Sequence, residues 1–145
     1  MLKKVVKLIT EKKRPEIKEI VDDLLKGNIY DRREAVKKLE KIGDRRVIAP
    51  IIQVLKEEED FWTRWRAAEV LGKIKAEKAL PQLLLSLTTD PNEIVRVYAA
   101  WAIGQIADEQ IVPELKKASQ KEKSTKVIAE IKKAVLFLQR KTKEE

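Results

Sequence analysis

The stretch DPNEIVRVYAAWAIGQIADEQIVPEL, residues 90–115, decides the fold. Asp90 and Asn92 are candidate helix N-caps, Pro91 suits a first turn, and Glu93 places negative charge at the positive end of a helix. From there Ile94, Val95, Ala99, Ala102, Ile103 and Ile106 recur at three- and four-residue spacings, which predicts an amphipathic helix. Asp108 caps a second helix with Ile111, Val112 and Leu115 on its buried stripe, and Pro113 falls in its first turn. Two antiparallel helices are expected.

Working outward, the same pattern returns every 32 residues: Asn28, Asp60, Asn92; Arg32, Arg64, Arg96; Ala35, Ala67, Ala99; Leu39, Leu71, Ile103; Ile42, Ile74, Ile106. A fixed period of this length marks a stack of supersecondary units. The second unit has the stripe Trp62, Ala67, Ala68, Leu71, Ile74, then Ala79, Leu80, Leu83, Leu87. The first has Tyr30, Ala35, Val36, Leu39, Ile42, then Val47, Ile48, Ile51, Leu55. Gly72 and Gly104 lie late in their first helices, where a missing side chain lets a neighbouring backbone approach; Glu40 holds that place in the first unit. Flanking helices are expected at about Lys3 to Lys12, from Pro15 to Lys26 closed by Gly27, and from about Ser124 to Gln139 with Val127, Ile128, Ile131, Val135 and Leu138 inward. Terminal segments of a stack must cover its ends with a polar face.

The chain is therefore expected to be all-α, a solenoid of antiparallel helix pairs with about nine helices. It reads as one domain over 1–145: capping helices in 1–27, repeats at 28–59, 60–91 and 92–123, and a closing helix and tail in 124–145.

Hydrophobic residues make up 43% of the 145 and charged residues 39%, a balance that suits a helix-rich folded chain. The absence of Cys and His removes thiol nucleophiles, Cys/His metal sites and the Ser-His-Asp arrangement. No Gly-rich phosphate loop follows a strand. No catalytic, cofactor-binding or metal-ligating residue is nominated. The absence of a signal-type or membrane-spanning apolar run leads to the expectation of a cytoplasmic protein without a membrane partner. Abundant Lys and Glu resembles the composition of proteins from hot environments. The formal charge of +8 is uneven: residues 1–28 carry +3, 29–60 are neutral, 61–92 carry +2, 93–123 are neutral and 124–145 carry +3.

The run Val95, Arg96, Ala99, Ala100, Ala102, Ile103, Gly104, Ile106 resembles the signature of HEAT-like repeats, particularly the short kind named after phycobilisome lyases. The second unit keeps Arg64, Ala67, Ala68, Leu71, Gly72 and Ile74, and the likeness extends over about residues 28–120. The resemblance implies a right-handed superhelix, first helices convex and second helices concave, serving as a protein-binding platform. It also implies that Arg32, Arg64 and Arg96 join repeats. Enzymes share the repeat: bilin lyases, a hydroxylase family with His and Glu metal ligands, and a DNA glycosylase family with a basic concave face. The missing His argues against the second, and Asp60 beside Trp62 is an ordinary N-cap arrangement that does not carry the third.

The expectation is thus a non-enzymatic scaffold for an unidentified protein partner. Nucleic-acid binding is the alternative, using Lys3, Lys4, Lys7, Lys12, Lys13 and Arg14 with Lys132, Lys133, Arg140, Lys141 and Lys143. A lyase-like enzyme subunit comes third. Trp65, Arg66, Val97, Tyr98 and Trp101 are the candidate partner-binding or self-associating patch, because large aromatics and Arg dominate binding hot spots. Arg46, Gln53, Lys78, Gln82 and Lys117 are candidate contacts on the concave face. The acidic run Glu57 to Asp60 reads as a solvent-facing loop feeding a helix.

Overall fold

The computed structural model describes residues 17–24, 26–43 and 45–144. The helix expected at about Lys3 to Lys12 and the six basic residues named before position 15 lie outside them. Among the described residues the chain is entirely helices and their connections. α1 covers 17–24, and α2 (Ile29–Ile42), α3 (Ile48–Glu57), α4 (Phe61–Lys73), α5 (Leu80–Thr89), α6 (Glu93–Ile106), α7 (Val112–Lys121) and α8 (Thr125–Glu144) follow. The expected all-α solenoid is present.

Local chemistry sets the boundaries. Asn28, Asp60 and Asn92 cap α2, α4 and α6 through their side chains, and at Asn28 the reciprocal bond from its own amide to Asp31 completes a capping box. α8 opens where Ser124, one period after Asn92, accepts from the Val127 amide at 3.3 Å. The second helices start differently: a 3₁₀ turn precedes each, at Arg45–Val47, Glu77–Ala79 and Glu109–Ile111. Asp108 accordingly caps the short turn, and α7 begins three residues further on than its spacing suggests. α2 ends on Gly43 in the left-handed region at φ 60°, and Lys75, one period later, takes a similar φ of 52°.

The helices form two layers. First helices α2, α4, α6 and α8 pack successively, second helices α3 and α5 pack together behind them, and α3 with α4, α5 with α6 and α7 with α8 close the seam. One apolar core runs between the layers, from Ile20 and Leu24 through Leu39, Ile51, Leu71, Leu83, Ile103 and Leu115 to Ile131 and Leu138. Gly72 and Gly104 serve the close approach expected of them. A Cβ on Gly72 would lie 2.6 Å from the Trp101 ring and 2.9 Å from the Ala102 Cα, and one on Gly104 would lie 3.1 Å from the Ala134 Cβ.

Some stripe assignments are corrected. Tyr30 is 75% exposed, Ile94 44% and Ile42 37%. Residues 94, 98, 101 and 105 share a helical face, as do 30, 34, 37 and 41, so the first-turn apolar residue aligns with the outer surface and not with the buried alanines. Trp62 belongs to that outer set for the same reason and is half-buried. Val70, Ala76 and Ala107, left off the stripes, are core residues.

Candidate interaction surfaces

The repeating arginines are ties between units. Arg64 donates from Nε and Nη2 to Asp90 at 2.9 and 3.1 Å, and from Nη1 to the carbonyls of Glu58 and Glu59 at 2.9 and 2.8 Å. Arg96 repeats this with Glu122 at 2.9 and 3.3 Å and the Asp90 carbonyl at 2.8 Å. Arg32 donates to the Gly27 carbonyl at 2.9 Å and lies 3.1 Å from the Glu58 carboxylate. A planar five-donor guanidinium can hold carbonyls at the end of the preceding unit and the carboxylate at the end of its own unit together, which an ammonium cannot.

The accepting acids Glu58, Asp90 and Glu122 are themselves 32 residues apart, a signal in the sequence that its reading passed over. Each also accepts the amide two residues on, from Asp60, Asn92 and Ser124. The acidic run before α4 is therefore not simply solvent-facing. The Glu58 and Asp60 side chains are only 10% and 9% exposed, and Asp60 holds Thr63 and, at 3.4 Å, Arg33.

Two of these carboxylates, Asp60 and Glu122, and Glu40 on α2 have pKa values below their ordinary ranges. At Asp60 and Glu122 burial works against the charge but is outweighed. The opposing groups are the Thr63 hydroxyl and Arg33 for Asp60, and the Ser124 amide and Arg96 for Glu122. At Glu40 the hydrogen bond from Lys73 is the leading cause, and burial opposes it. A folded pKa below the unfolded one means stability that is complete above the ordinary carboxylate range and is lost as pH falls through the folded values. The urea midpoint should thus hold from pH 7 to about 5 and fall below about pH 4, and Glu122→Gln should flatten that acid limb. An unchanged midpoint at pH 3 would contradict the assignment. Lys73, raised by its bonds to Glu40 and Glu69, has the opposite sign and loses its contribution as pH rises past 10.5.

On the outer face of the first helices the aromatic residues form a connected array. The Trp65 and Tyr98 rings stack at 4.6 Å and 26°, and Trp62 meets Trp65 edge-on at 5.5 Å. The Arg33 guanidinium lies 4.8 Å from the Trp62 ring centre, and that of Arg66 lies 5.8 Å from Trp62 and 5.5 Å from Trp65. Arg66 is also held by Glu40 and Glu69, both at 2.8 Å, and Lys73 shares the same two acids. Glu40 thus uses the place of the glycines to tie α2 to α4. Val97 and Trp101 are half-buried on the core, with Trp101 seated over Gly72. The structure therefore brings Trp65, Arg66 and Tyr98 together, adds Trp62 and Arg33, and sets Trp101 one helix face nearer α8.

The proposed concave contacts do not form one cluster. Arg46 and Lys78 border a groove that Ile48 and Ile52 also line. Gln82 borders a different groove beside Leu85, which is 50% exposed. Gln53 is exposed and donates to Glu57 at 3.2 Å, and Lys117 is exposed on α7. The exposed apolar pair Leu136 and Phe137 on α8 was not singled out from sequence, although both are large apolar residues lying off the buried stripe.

Paired helices in two layers, tied by a periodic arginine and capped at a periodic Asn/Asp, define an α-solenoid of short repeats. The chain belongs to the HEAT-repeat family: the HEAT-repeats model matches residues 17–96, and that of the PBS lyase HEAT-like repeat matches residues 95–121. No curated protein matches it. Among solved structures, human deoxyhypusine hydroxylase in complex with glycerol is 25% identical over 94% of this chain and 48% of its own, with a TM-score of 0.81. Epoxyqueuosine reductase with a modified tRNA-Tyr stem loop is 38% identical over 53% of this chain and 20% of its own, TM-score 0.51. A selenomethionine-labelled epoxyqueuosine reductase is 32% identical over 63% and 28%, TM-score 0.53. The chain spans about half or less of each of these proteins.

These likenesses correct the expectation that the chain is not an enzyme, since the similar structures are a hydroxylase and a reductase. The repeat stack is a frame on which sites are placed, so the fold does not argue against activity. Among the described residues no helix is long and apolar enough to cross a membrane. No group of acidic residues there is placed to hold a metal ion.

Proposed function

We propose that this helical-repeat chain, read as one domain with units at 28–59, 60–91 and 92–123, recognises a protein partner through the outer face of its first helices. The observation carrying this reading is the array of Trp62, Trp65 and Tyr98, part-exposed and flanked by Arg33 and Arg66. Rings that keep an exposed edge while their other contacts are fixed lose little entropy on binding, which favours them as anchors. Trp101 and Val97 extend the face towards α8. Replacing Tyr98 by a photoreactive phenylalanine should give a protein adduct in cells, whereas the same group at Gln53 on the second-helix face should not. Adducts from Gln53 alone would move the site to the concave side.

The second reading is RNA recognition, favoured by the tRNA stem loop bound to one of the similar structures. Its described basic residues are Lys132, Lys133, Arg140, Lys141 and Lys143, all on α8.

A further inference from the structure

The last helix keeps the register of the stack but changes the positions that would receive another unit. Ser124 stands one period after Asn92, which makes α8 a fourth first helix. Ile128 then replaces the tying arginine, Lys132 replaces Val36, Ala68 and Ala100, and Leu136 replaces Gly72 and Gly104. The three small predecessors of Lys132 are fully buried, whereas Lys132 is exposed. A further pair docked in the same way would bury an ammonium and meet a leucine where Gly72 leaves room for a tryptophan ring. Continuation of the stack by a second copy is thus disfavoured by the residues themselves.

Leu136 is nevertheless 54% exposed and Phe137 49%. Two grooves flank them. One, of about 430 Å³, runs along Trp101, Gln105 and Phe137 and is bordered by Lys133 and Arg140. The other, of about 440 Å³, runs along Ile131 and Val135 and is bordered by Lys116 and Lys132. Leu136 lines both. Four cations border this apolar strip against a single carboxylate, Glu130, which lies 3.9 Å from Lys133.

We infer that the strip around Leu136 is the docking site for an amphipathic helical segment of a partner protein, its apolar face flanked by carboxylates. Apolar side chains of such a segment would enter the two grooves while its acids meet the cationic borders, the helix-in-groove mode with electrostatic steering. A nucleic-acid backbone would satisfy the cations but leave Leu136 and Phe137 in water, so the apolar strip favours the peptide. The inference rests on the reading of the chain as a protein-binding module and adds the chemistry of the partner.

The test is fluorescence anisotropy of a labelled 18-residue model helix with a leucine stripe flanked by glutamates, against its counterpart flanked by lysines. The acidic peptide should bind at least about tenfold more tightly, a difference of about 1.4 kcal/mol, with affinity falling as salt rises. Leu136→Glu, at an exposed position, should weaken it about tenfold or more, and Phe137→Ser serves if that variant loses its helical circular dichroism. Lys133→Glu with Arg140→Glu should lower affinity and flatten the salt dependence. Equal binding of both peptides, or indifference to these changes, overturns the inference. So does a self-association, or an RNA affinity, that the Leu136 change abolishes in place of peptide binding. If the peptides fail while Tyr98 still yields a protein adduct, the partner chemistry is wrong and the protein-binding reading stands.

Discussion

Arg64→Ala should lower stability by about 3 kcal/mol, because it removes the donor that holds two units together and leaves its acceptors buried. The Arg64 and Asp90 side chains are 11% and 7% exposed. Without the guanidinium, the Asp90 carboxylate keeps only the Asn92 amide at 2.9 Å, and the carbonyls of Glu58 and Glu59 lose their Arg64 donor. Arg64→Lys should recover less than half of the loss, since one ammonium cannot span a carboxylate and two carbonyls on opposite sides. Arg32→Ala should cost less than Arg64→Ala, its side chain being 24% exposed and hydrogen-bonded to a single carbonyl. Urea unfolding of the three variants measures this, and a loss under about 0.5 kcal/mol for Arg64→Ala, the size of a surface change, would mean that the tie is ornamental.

Gly72→Ala should cost about 2 kcal/mol net, although alanine is the better helix former by about 1 kcal/mol. The new methyl would stand 2.6 Å from the Trp101 ring and 2.9 Å from the Ala102 backbone, so α4 and α6 must separate or Trp101 must leave its seat. A shift in Trp fluorescence should accompany the fall in the unfolding midpoint. Gly104→Ala is the internal control. Its nearest neighbours are the Ala134 Cβ at 3.1 Å and Cα at 3.3 Å, a crowding of a few tenths of an ångström that the helix-propensity gain can offset. It should change stability by less than about 1 kcal/mol. Equal losses for the two would contradict the packing described between α4 and α6.

Much of this was legible in the chain because the repeat averages over three copies. The caps at Asn28, Asp60 and Asn92, the buried alanines, and the glycines at the close crossings all return on one period. What the period hid was direction. Tyr30, Trp62 and Ile94 are apolar and stand near the stripe, but a four-residue step carries them to the outer face with Glu34, Arg66 and Tyr98. Charge misled in the same way, because Glu58 looks like its neighbours Glu57 and Glu59, and in the sequence only its place one period before Asp90 sets it apart as the acid that meets Arg32. Trp65 and Tyr98 were grouped from sequence, but their stacking across α4 and α6, and the approach of Arg33 from α2 to Trp62, depend on separate helices meeting, which no local pattern reports. Leu136 and Phe137 were visible as apolar residues but acquire meaning only once α8 is aligned as a fourth first helix.

A titration with a tRNA stem loop tests most directly the proposal that these surfaces serve a protein. Binding would be followed through Trp62, Trp65 and Trp101 fluorescence and the anisotropy of labelled RNA at several salt concentrations. A protein-binding chain should show weak RNA association at low salt that vanishes near about 0.15 M, the behaviour of unspecific charge attraction. Micromolar binding that persists at that salt and is lost on changing Lys132, Lys133 and Arg140 would contradict the proposal and make RNA the partner.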